Sequence, residues 1–197
     1  MSKELFKKIF TERIHREGAK ELLAWLETTD FFTAPASTKY HGAYEGGLVD
    51  HSLNVYKLFR QELLQRLQLF ADKKGETLTP ELEEFCAVCA LLHDVCKVQF
   101  YTQTVKNQKN SKGDWEQVPY YTVNDQFSYG HGEKSVWLVQ RFIRLSVEES
   151  IAIRWHMGGF DDAVRGGSRC LSKAWNDFPS AMLLHVADMK ATYMLDK

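Results

Sequence analysis

The sequence has few of the features that mark a secreted, membrane-spanning or loop-built chain. Its 197 residues include only four prolines and twelve glycines, too few for a chain made mainly of loops. Four cysteines follow a start that is charged throughout and has no apolar stretch of the signal-peptide type. The longest apolar run, residues 86–92, is far too short to cross a membrane. We therefore expect reduced thiols and a cytoplasmic location.

An excess of charge of either sign is also missing. The 25 basic and 26 acidic residues give a formal net charge of −1, which argues against a long nucleic-acid track. Hydrophobic residues make up 44% of the chain, enough to bury the core of one domain. What the chain does contain is a group of seven histidines, several of them beside aspartates or on amphipathic segments.

Helical periodicity covers most of the chain. The spacing of apolar residues predicts helices over residues 2–16, 19–28, 48–71, 80–98, 132–145, 146–156 and 179–195. Thr79 before Pro80, and Ser146 three residues before Glu149, are typical helix starts. The helix that starts at Pro80 is apolar on nearly all sides, so it should be central and buried. The connections are predicted at 30–47, 72–78 and 160–170.

One segment breaks the helical pattern. Residues 99–129 are rich in Thr, Val, Tyr and Trp around a turn-like KNSKGD, which favours a β-hairpin. Near the N-terminus, Leu5, Ile9 and Ile14 are expected to form the apolar face of the first helix. The fold class predicted is all-α, with one β-hairpin-like insertion in a single domain over residues 1–197.

The candidate site starts from His93 and Asp94, which lie together near the end of the most buried helix. An ionised carboxylate in an apolar helix is costly unless it is paired or bound to a metal. Four further residues on or beside predicted helices have metal-ligating side chains: His51, His131, His156 and Asp188. A helix bundle builds metal sites by aiming such groups inward from facing helices.

The order of these six residues resembles the HD superfamily of metal-dependent phosphohydrolases. His131 and His156 make the set similar to the six-ligand members, which hold two metal ions. The segments PAS…GGLVDHSL and LLHDVCK look closest to the HD modules of bacterial 3′–5′ exoribonucleases and of conjugation-associated proteins. The resemblance covers residues 35–195, which it identifies as an HD core behind a helical extension at 1–34.

Two departures from the family pattern stand out. The exoribonucleases carry an OB-type nucleic-acid domain before the HD module, and no such β-rich segment precedes it here. Cys96 stands where the family's HDxGK motif usually has glycine. Because Lys97 keeps its place, we expect the cysteine to have little chemical effect.

The resemblance implies a division of roles at the metal centre. One ion would take His51, His93, Asp94 and Asp188, and Asp94 would bridge to a second ion on His131 and His156. Mixed imidazole and carboxylate ligands suit Mn, Fe, Ni, Co or Zn better than Mg. Two such ions lower the pKa of a bridging water and position an in-line displacement. Lys97, four residues after His93, is expected on the same helical face, where it would meet negative charge on a phosphoryl group. Asp94 and Lys97 are thus the candidate catalytic residues.

Several other residues are candidates for substrate contact. Lys134, Arg154 and Arg165 are either anion contacts or surface charges. His41 lines the pocket or belongs to an ordered loop, and Tyr129 stacks a base or packs internally. The lysines at 97, 106, 109 and 112 form either a solvated hairpin tip or an edge that gathers phosphate. Cys86 and Cys89 are interpreted as small core residues rather than as a zinc ribbon.

Three functions remain open at this point. The first is hydrolysis of a phosphomonoester or phosphodiester in a small phosphorylated substrate, a nucleotide or a short nucleic-acid end. The second is a di-iron oxygenase similar to the myo-inositol oxygenase family, which has the same ligand order. The third is a metal-stabilised module that senses a nucleotide without turning it over. No membrane partner is expected.

Overall fold

The structure is a computed structural model that describes residues 1–71 and 77–196, and over these residues the chain is mostly helical. The helices are α1 (Ser2–Arg13), α2 (Ala19–Thr28), α3 (Gly47–Ala71), α4 (Pro80–Leu92), α5 (His131–Gln140), α6 (Val147–Arg154), α7 (Asp162–Arg165), α8 (Cys170–Asp177) and α9 (Pro179–Lys190). Strands β1 (Tyr101–Lys109) and β2 (Trp115–Val123) form an antiparallel hairpin, with Tyr101 opposite Val123. The predicted all-α class with one hairpin is confirmed. The connection predicted at 72–78 lies mostly outside the described residues.

Local signals place the starts of two helices as the sequence predicts. The Leu82 N–H donates to the Thr79 hydroxyl at 3.3 Å, ahead of α4. At α6 the Glu149 N–H donates to Ser146 Oγ, and the Ser146 N–H donates back to the Glu149 carboxylate. Both arrangements satisfy N–H groups that have no partner inside the helix.

The core surrounds α4, which packs against α1, α3 and α6, while α9 covers α3 and α6. Every side chain from Cys86 to Leu92 is buried, so the prediction of a central helix is confirmed. The stripe on α3 that begins at Leu48 and ends at Leu63 is buried as well. Cys86 and Cys89 lie within this apolar core as free thiols.

The N-terminal helices belong to the same core. Phe6 and Phe10, rather than the predicted Leu5, form the buried face of α1, and Leu5 is 48% exposed. Phe6 packs on Phe31 with ring centroids 5.1 Å apart, so aromatic contact decides which face turns inward. Gly18 has a φ of +84°, and a Cβ there would lie 1.8 Å from the Phe142 carbonyl oxygen.

The helix ends differ from the prediction. Helix α4 stops at Leu92 instead of 98, and a 3₁₀ turn follows at Val95–Lys97. Helix α5 stops at Gln140 instead of 145. These apolar runs continue past the helix ends because the following turns are buried too, as Val95 and Ile143 are.

The C-terminal third has more helix than expected. The segment predicted as a loop at 160–170 contains α7, whose first turn is capped by the Asp161 carboxylate, and helix α8 was not predicted. Helix α9 ends at Lys190, and a wider π-type turn, Ala191–Leu195, completes the predicted range. None of the helices described by the structure is long and apolar enough to span a membrane.

Candidate metal centre

The six candidate ligands converge from five helices. His51 lies in the second turn of α3, and His93 and Asp94 follow the last residue of α4. His131 begins α5, His156 follows α6, and Asp188 lies in the last turn of α9. Five of the six are buried, and the sixth, His131, is partly exposed. Separate helices therefore deliver ionisable groups to one buried point, as bundle metal sites require.

The first group of ligand atoms surrounds Nε2 of His51. This nitrogen lies 3.1 Å from Asp188 Oδ1, 3.2 Å from His93 Nε2 and 3.6 Å from Asp94 Oδ2. Donors about 2.0–2.2 Å from one tetrahedral ion are separated by roughly 3.2–3.6 Å. The four side chains are thus spaced to share an ion without large movement.

A second group forms around the other oxygen of Asp94. Asp94 Oδ1 lies 2.9 Å from His131 Nε2 and 3.5 Å from His156 Nε2. The two carboxylate oxygens therefore face different pairs of histidines. A carboxylate placed in this way is suited to bridge two cations.

The ring orientation of two histidines supports a metal-binding role. Nδ1 of His93 donates to the Ala90 carbonyl at 2.8 Å, and Nδ1 of His156 donates to the Ile153 carbonyl at 2.6 Å. A carbonyl only accepts, so each Nε2 is left with its lone pair toward the centre when the ring is neutral. Among the described residues His156 Nε2 is buried and has no hydrogen-bond partner. Burial lowers the pKa of His156, which keeps the ring neutral and able to bind a metal.

The charges in the centre shift several pKa values. Burial alone would lower the pKa of His51, but hydrogen bonds to Asp188 and Asp196 raise it to about 9. Burial raises the pKa of Asp94, but Lys97 and the neighbouring histidines outweigh that effect and hold it well below its usual value. Burial likewise lowers the pKa of His131, whereas Cys96 and Asp94 raise it to about 10. Without a metal, the carboxylates are ionised and accept hydrogen bonds from protonated imidazoles around them.

Lys97 lies at the centre, but on a turn and not on the predicted helical face. It is the last residue of the 3₁₀ turn, three residues after Asp94, and its Nζ lies 2.6 Å from Asp94 Oδ2. It does not share a helical face with His93, because α4 has ended by then. Burial lowers the pKa of Lys97, but the nearby Asp94 carboxylate raises it above its ordinary value, so the ammonium stays charged.

A cavity of about 620 Å³ opens above these groups. Asp94, Lys97, His131 and Asp188 line it on the metal side. Its remaining walls include four aromatic side chains and two candidate substrate contacts: Tyr40, Tyr101, Phe160, Tyr193, His41 and Arg165. The cavity thus combines positive charge, ligand atoms and apolar ring surface.

Three of the sequence-based substrate candidates lie away from this cavity. The Lys134 ammonium is buried and donates to Asp125 at 2.5 Å, which already neutralises it. Arg154 pairs with Asp161 at 2.7 Å and with Glu133, beside a smaller cavity of about 240 Å³. Tyr129 stacks on Phe127, with centroids 5.3 Å apart, and does not line the main cavity. Each of these side chains already has an internal partner, and spacing along the sequence could not show that.

Two groups at the centre are missing from the sequence-based set of ligands and contacts. Asp196 Oδ2 accepts from His51 Nδ1 at 2.6 Å, and its Oδ1 accepts from Asn54 at 2.7 Å. The Cys96 thiol lies 3.4 Å from His131 Nδ1. Asp196 follows the predicted final helix, and no motif in the sequence marks it as a site residue. Cys96 is marked in the sequence because it stands where the family motif usually has glycine. His185, by contrast, donates through Nδ1 to the His156 carbonyl and is in none of the ligand groups.

Comparison with known proteins supplies one match. The family model of the HD domain matches residues 48–191, most of the chain and a range that contains all six candidate ligands. No curated protein and no solved structure matches the chain significantly.

Proposed function

The chain belongs to the HD-domain family, a superfamily of metal-dependent phosphohydrolases, and we propose that it cleaves a phosphomonoester or phosphodiester bond with metal-activated water. The substrate class we propose is a nucleotide or a short nucleic-acid end. The observation that carries the proposal is the placement of Asp94, whose two oxygens face two separate histidine groups.

The donor set fits two divalent transition ions. His51, His93, Asp94 and Asp188 would hold the first, while Asp94, His131 and His156 would contribute to the second. Imidazole and carboxylate together favour Mn, Fe, Ni, Co or Zn over Mg. When bound, such ions supply a water of lowered pKa and positive charge for the oxygens of a phosphoryl group.

The chain's own residues provide the remaining functions. Lys97 carries a positive charge on the cavity wall, where its ammonium pairs with Asp94 at 2.6 Å. With Asp94 bound to metal, this ammonium would be available to bind a phosphoryl oxygen and stabilise its developing charge. Tyr101, whose hydroxyl donates to the Ala36 carbonyl at 3.2 Å, forms a fixed wall beside this lysine. Arg165 is exposed at the cavity and is the second cation available to a phosphate.

The cavity supports a small substrate with an aromatic part. Its volume of about 620 Å³ falls in the range of roughly 300–1,000 Å³ typical of small-molecule sites. Tyr40, Phe160 and Tyr193 offer ring surface to a base while the phosphate faces Lys97. The net charge of −1 gives no general attraction for a long polyanion.

The proposal is tested by phosphate release from a panel of nucleoside monophosphates, cyclic nucleotides and short oligonucleotides, with Mn²⁺ or Co²⁺ added. We expect turnover by the wild type and a loss of at least about 100-fold in Asp94→Ala, together with loss of bound metal. Asp114→Ala, at the exposed hairpin turn, is the matched control and should keep full activity. Retained turnover in Asp94→Ala would contradict the assignment.

The same preparations distinguish the two other functions. A di-iron oxygenase would contain iron and consume oxygen when a polyol or phosphonate is added, without releasing phosphate. A nucleotide-sensing module would bind its nucleotide and gain thermal stability while forming no product over hours. Either result, with no phosphate released, would replace the hydrolase proposal.

A further inference from the structure

The turn after α4 places a thiol inside the metal centre. Cys96 is 2% exposed, and its Sγ lies 3.6 Å from His131 Nε2 and 4.0 Å from Asp94 Oδ1. It belongs to a group of possible metal-binding side chains with Asp94 and His131. The other two buried cysteines, Cys86 and Cys89, lie in the apolar body of α4 and belong to no such group.

The backbone that carries the thiol is fixed by the turn itself. The Cys96 N–H donates to Ser135 Oγ at 3.0 Å, and Ser135 lies one turn after His131 on α5. This bond ties the turn after α4 to the helix that carries the histidine. The Cys96 backbone is therefore held beside the start of α5, and rotation about a single side-chain bond places Sγ relative to His131.

The spacing of the donors fits a shared ion. A zinc-like ion has about 2.3 Å to sulfur and about 2.0–2.1 Å to nitrogen, so the two donors are roughly 3.5 Å apart at a tetrahedral angle. The observed separations from Sγ are 3.6 Å to His131 Nε2 and 4.0 Å to Asp94 Oδ1, while Asp94 Oδ1 is 2.9 Å from His131 Nε2. Sγ is also 3.4 Å from His131 Nδ1, so it lies beside the ring, and binding one ion through Sγ and Nε2 requires rotation of the Cys96 or His131 side chain.

An independent observation points to a ligand next to this group. Among the residues that the structure describes, His156 Nε2 is fully buried, lacks a hydrogen-bond partner and lies 3.5 Å from Asp94 Oδ1. A buried nitrogen without a partner is costly, and a cation removes that cost. Asp94 is the residue that the group of His93 and His156 shares with the group of Cys96 and His131, so the unpartnered nitrogen and the thiol lie on either side of one carboxylate.

We propose that Cys96 is a thiolate ligand of the ion on the His131 side and makes that position selective for thiophilic ions such as Zn²⁺, Co²⁺ or Fe²⁺. Formation of the sulfur–metal bond breaks the S–H bond, and the proton leaves to water. Soft thiolate ligands favour these ions over Mn²⁺ and Mg²⁺, which prefer oxygen. This inference rests on the metal centre of the proposed function and adds a seventh ligand to it.

Cobalt titration of the metal-free protein tests the ligand directly. We expect thiolate-to-cobalt charge-transfer absorption in the near ultraviolet to appear as the His131 position fills. Cys96→Ser and Cys96→Ala should both lose that absorption, and their affinity for Zn²⁺ at this position should fall about 10-fold or more. Cys170→Ser removes an exposed thiol on α8 and is the matched control, which should keep the absorption.

The outcomes separate this inference from the proposed function. Cobalt binding with visible d–d bands, but without charge-transfer absorption that depends on Cys96, would overturn the ligand assignment and leave the metal centre intact. Failure of the wild type to bind any cobalt would overturn both. If the Cys96 variants do not fold, alkylation of the wild type decides: bound Zn²⁺ should protect the Cys96 peptide, and unchanged alkylation would overturn the inference.

Discussion

At the residue scale, Asp196 fixes which nitrogen of His51 faces the metal centre. Its carboxylate accepts a hydrogen bond from His51 Nδ1 at 2.6 Å, and this directs Nε2 of His51 toward Asp188 and His93. Asn54 holds the other carboxylate oxygen. A carboxylate behind a metal-binding imidazole sets its tautomer and increases its basicity. We therefore propose that Asp196 is a positioning residue that acts through His51.

Asp196→Asn is expected to weaken metal binding by about 10- to 100-fold, because the amide supports the His51 tautomer less well. Asp114→Asn, at the exposed hairpin turn, is the control. The measurement is the dissociation constant for Mn²⁺ or Co²⁺ by competition with a chelating dye. Equal affinities for Asp196→Asn and the wild type would show that Asp196 does not position His51.

Metal binding should also release protons. The raised pKa values of about 9 for His51 and about 10 for His131 mean that both rings are protonated near pH 7.5 without metal. A ligand nitrogen must be deprotonated, so affinity should rise with pH and fall as the solution is acidified. Calorimetry in two buffers of different ionisation enthalpy measures the protons released. Identical heats in both buffers would contradict the predicted protonation.

The same shifts set the sign of the pH dependence of the metal-free fold. A histidine with a raised folded pKa stabilises the fold most below its unfolded pKa of about 6.5. That contribution is lost as the pH rises through the folded values of about 9 and 10. Saturation with metal should remove this loss of stability at alkaline pH, because the metal-bound rings are neutral over the whole pH range considered.

At the element scale, the ends of the helices are what the sequence predicts least well. Apolar periodicity carries the predicted fourth helix through residue 98, whereas α4 ends at Leu92. The difference matters for the site, since the 3₁₀ turn that follows holds both Cys96 and Lys97. The buried apolar residues of the turn continue the helical pattern in the sequence, whereas the Cys96 N–H in the turn bonds to Ser135 on α5. No spacing rule contains that distant partner.

The hairpin is expected to contribute little to stability. Most of its side chains are exposed, and its strands pair only with each other within the described residues. Replacing residues 104–120 with Asn-Gly keeps Gln103 opposite Tyr121 and should lower the free energy of unfolding by less than about 1 kcal/mol. Chemical denaturation measures this change. A loss of several kcal/mol would show that the hairpin packs on the core.

The shortened hairpin also tests the lysines at 106, 109 and 112. If they gather phosphate, KM for a nucleotide should rise while kcat stays unchanged. Lys106 and Lys109 lie over the rings of Tyr120 and Trp115, as solvated hairpin residues often do. An unchanged KM would indicate that these lysines form a solvated hairpin tip and do not bind phosphate.

At the scale of the whole molecule, residues 1–34 are part of the core although the family match begins at 48. Phe6, Phe10 and Leu22 are fully or almost fully buried. Arg16 donates to both oxygens of the Glu149 carboxylate at 2.9 Å and to Glu84 at 3.3 Å, which links the N-terminal segment to α4 and α6. We therefore propose that residues 1–197 fold as one domain, with the first helices as an integral layer.

Arg16→Met should destabilise the protein by about 2–4 kcal/mol, because it leaves the buried Glu149 carboxylate without its cation. Glu149 is 3% exposed, whereas Arg16 is partly solvated, so the lower half of that range is expected. Lys8→Met is the control, since its pair with Glu12 is exposed and contributes less than about 1 kcal/mol. Urea denaturation of both variants measures the difference. Equal stabilities would mean that the Arg16–Glu149 pair does not hold the N-terminal segment to the core.

Much of the architecture and the set of six candidate ligands could be predicted because both depend on local pattern. Helical spacing revealed the buried stripe of α3, and the residue order from His51 to Asp188 resembled a family. The contact of Asp196 with His51 and the internal partners of Lys134 and Arg154 depend on side-chain pairs that only the fold creates. Such pairs leave no periodic trace in a single sequence.

We propose that one buried carboxylate, Asp94, joins two metal positions. The native mass of the untreated chain, with elemental analysis, tests this for the wild type and Asp94→Ala. We expect two divalent transition ions in each wild-type chain and none in Asp94→Ala. One ion or none in the wild type, or two ions retained by Asp94→Ala, would contradict it.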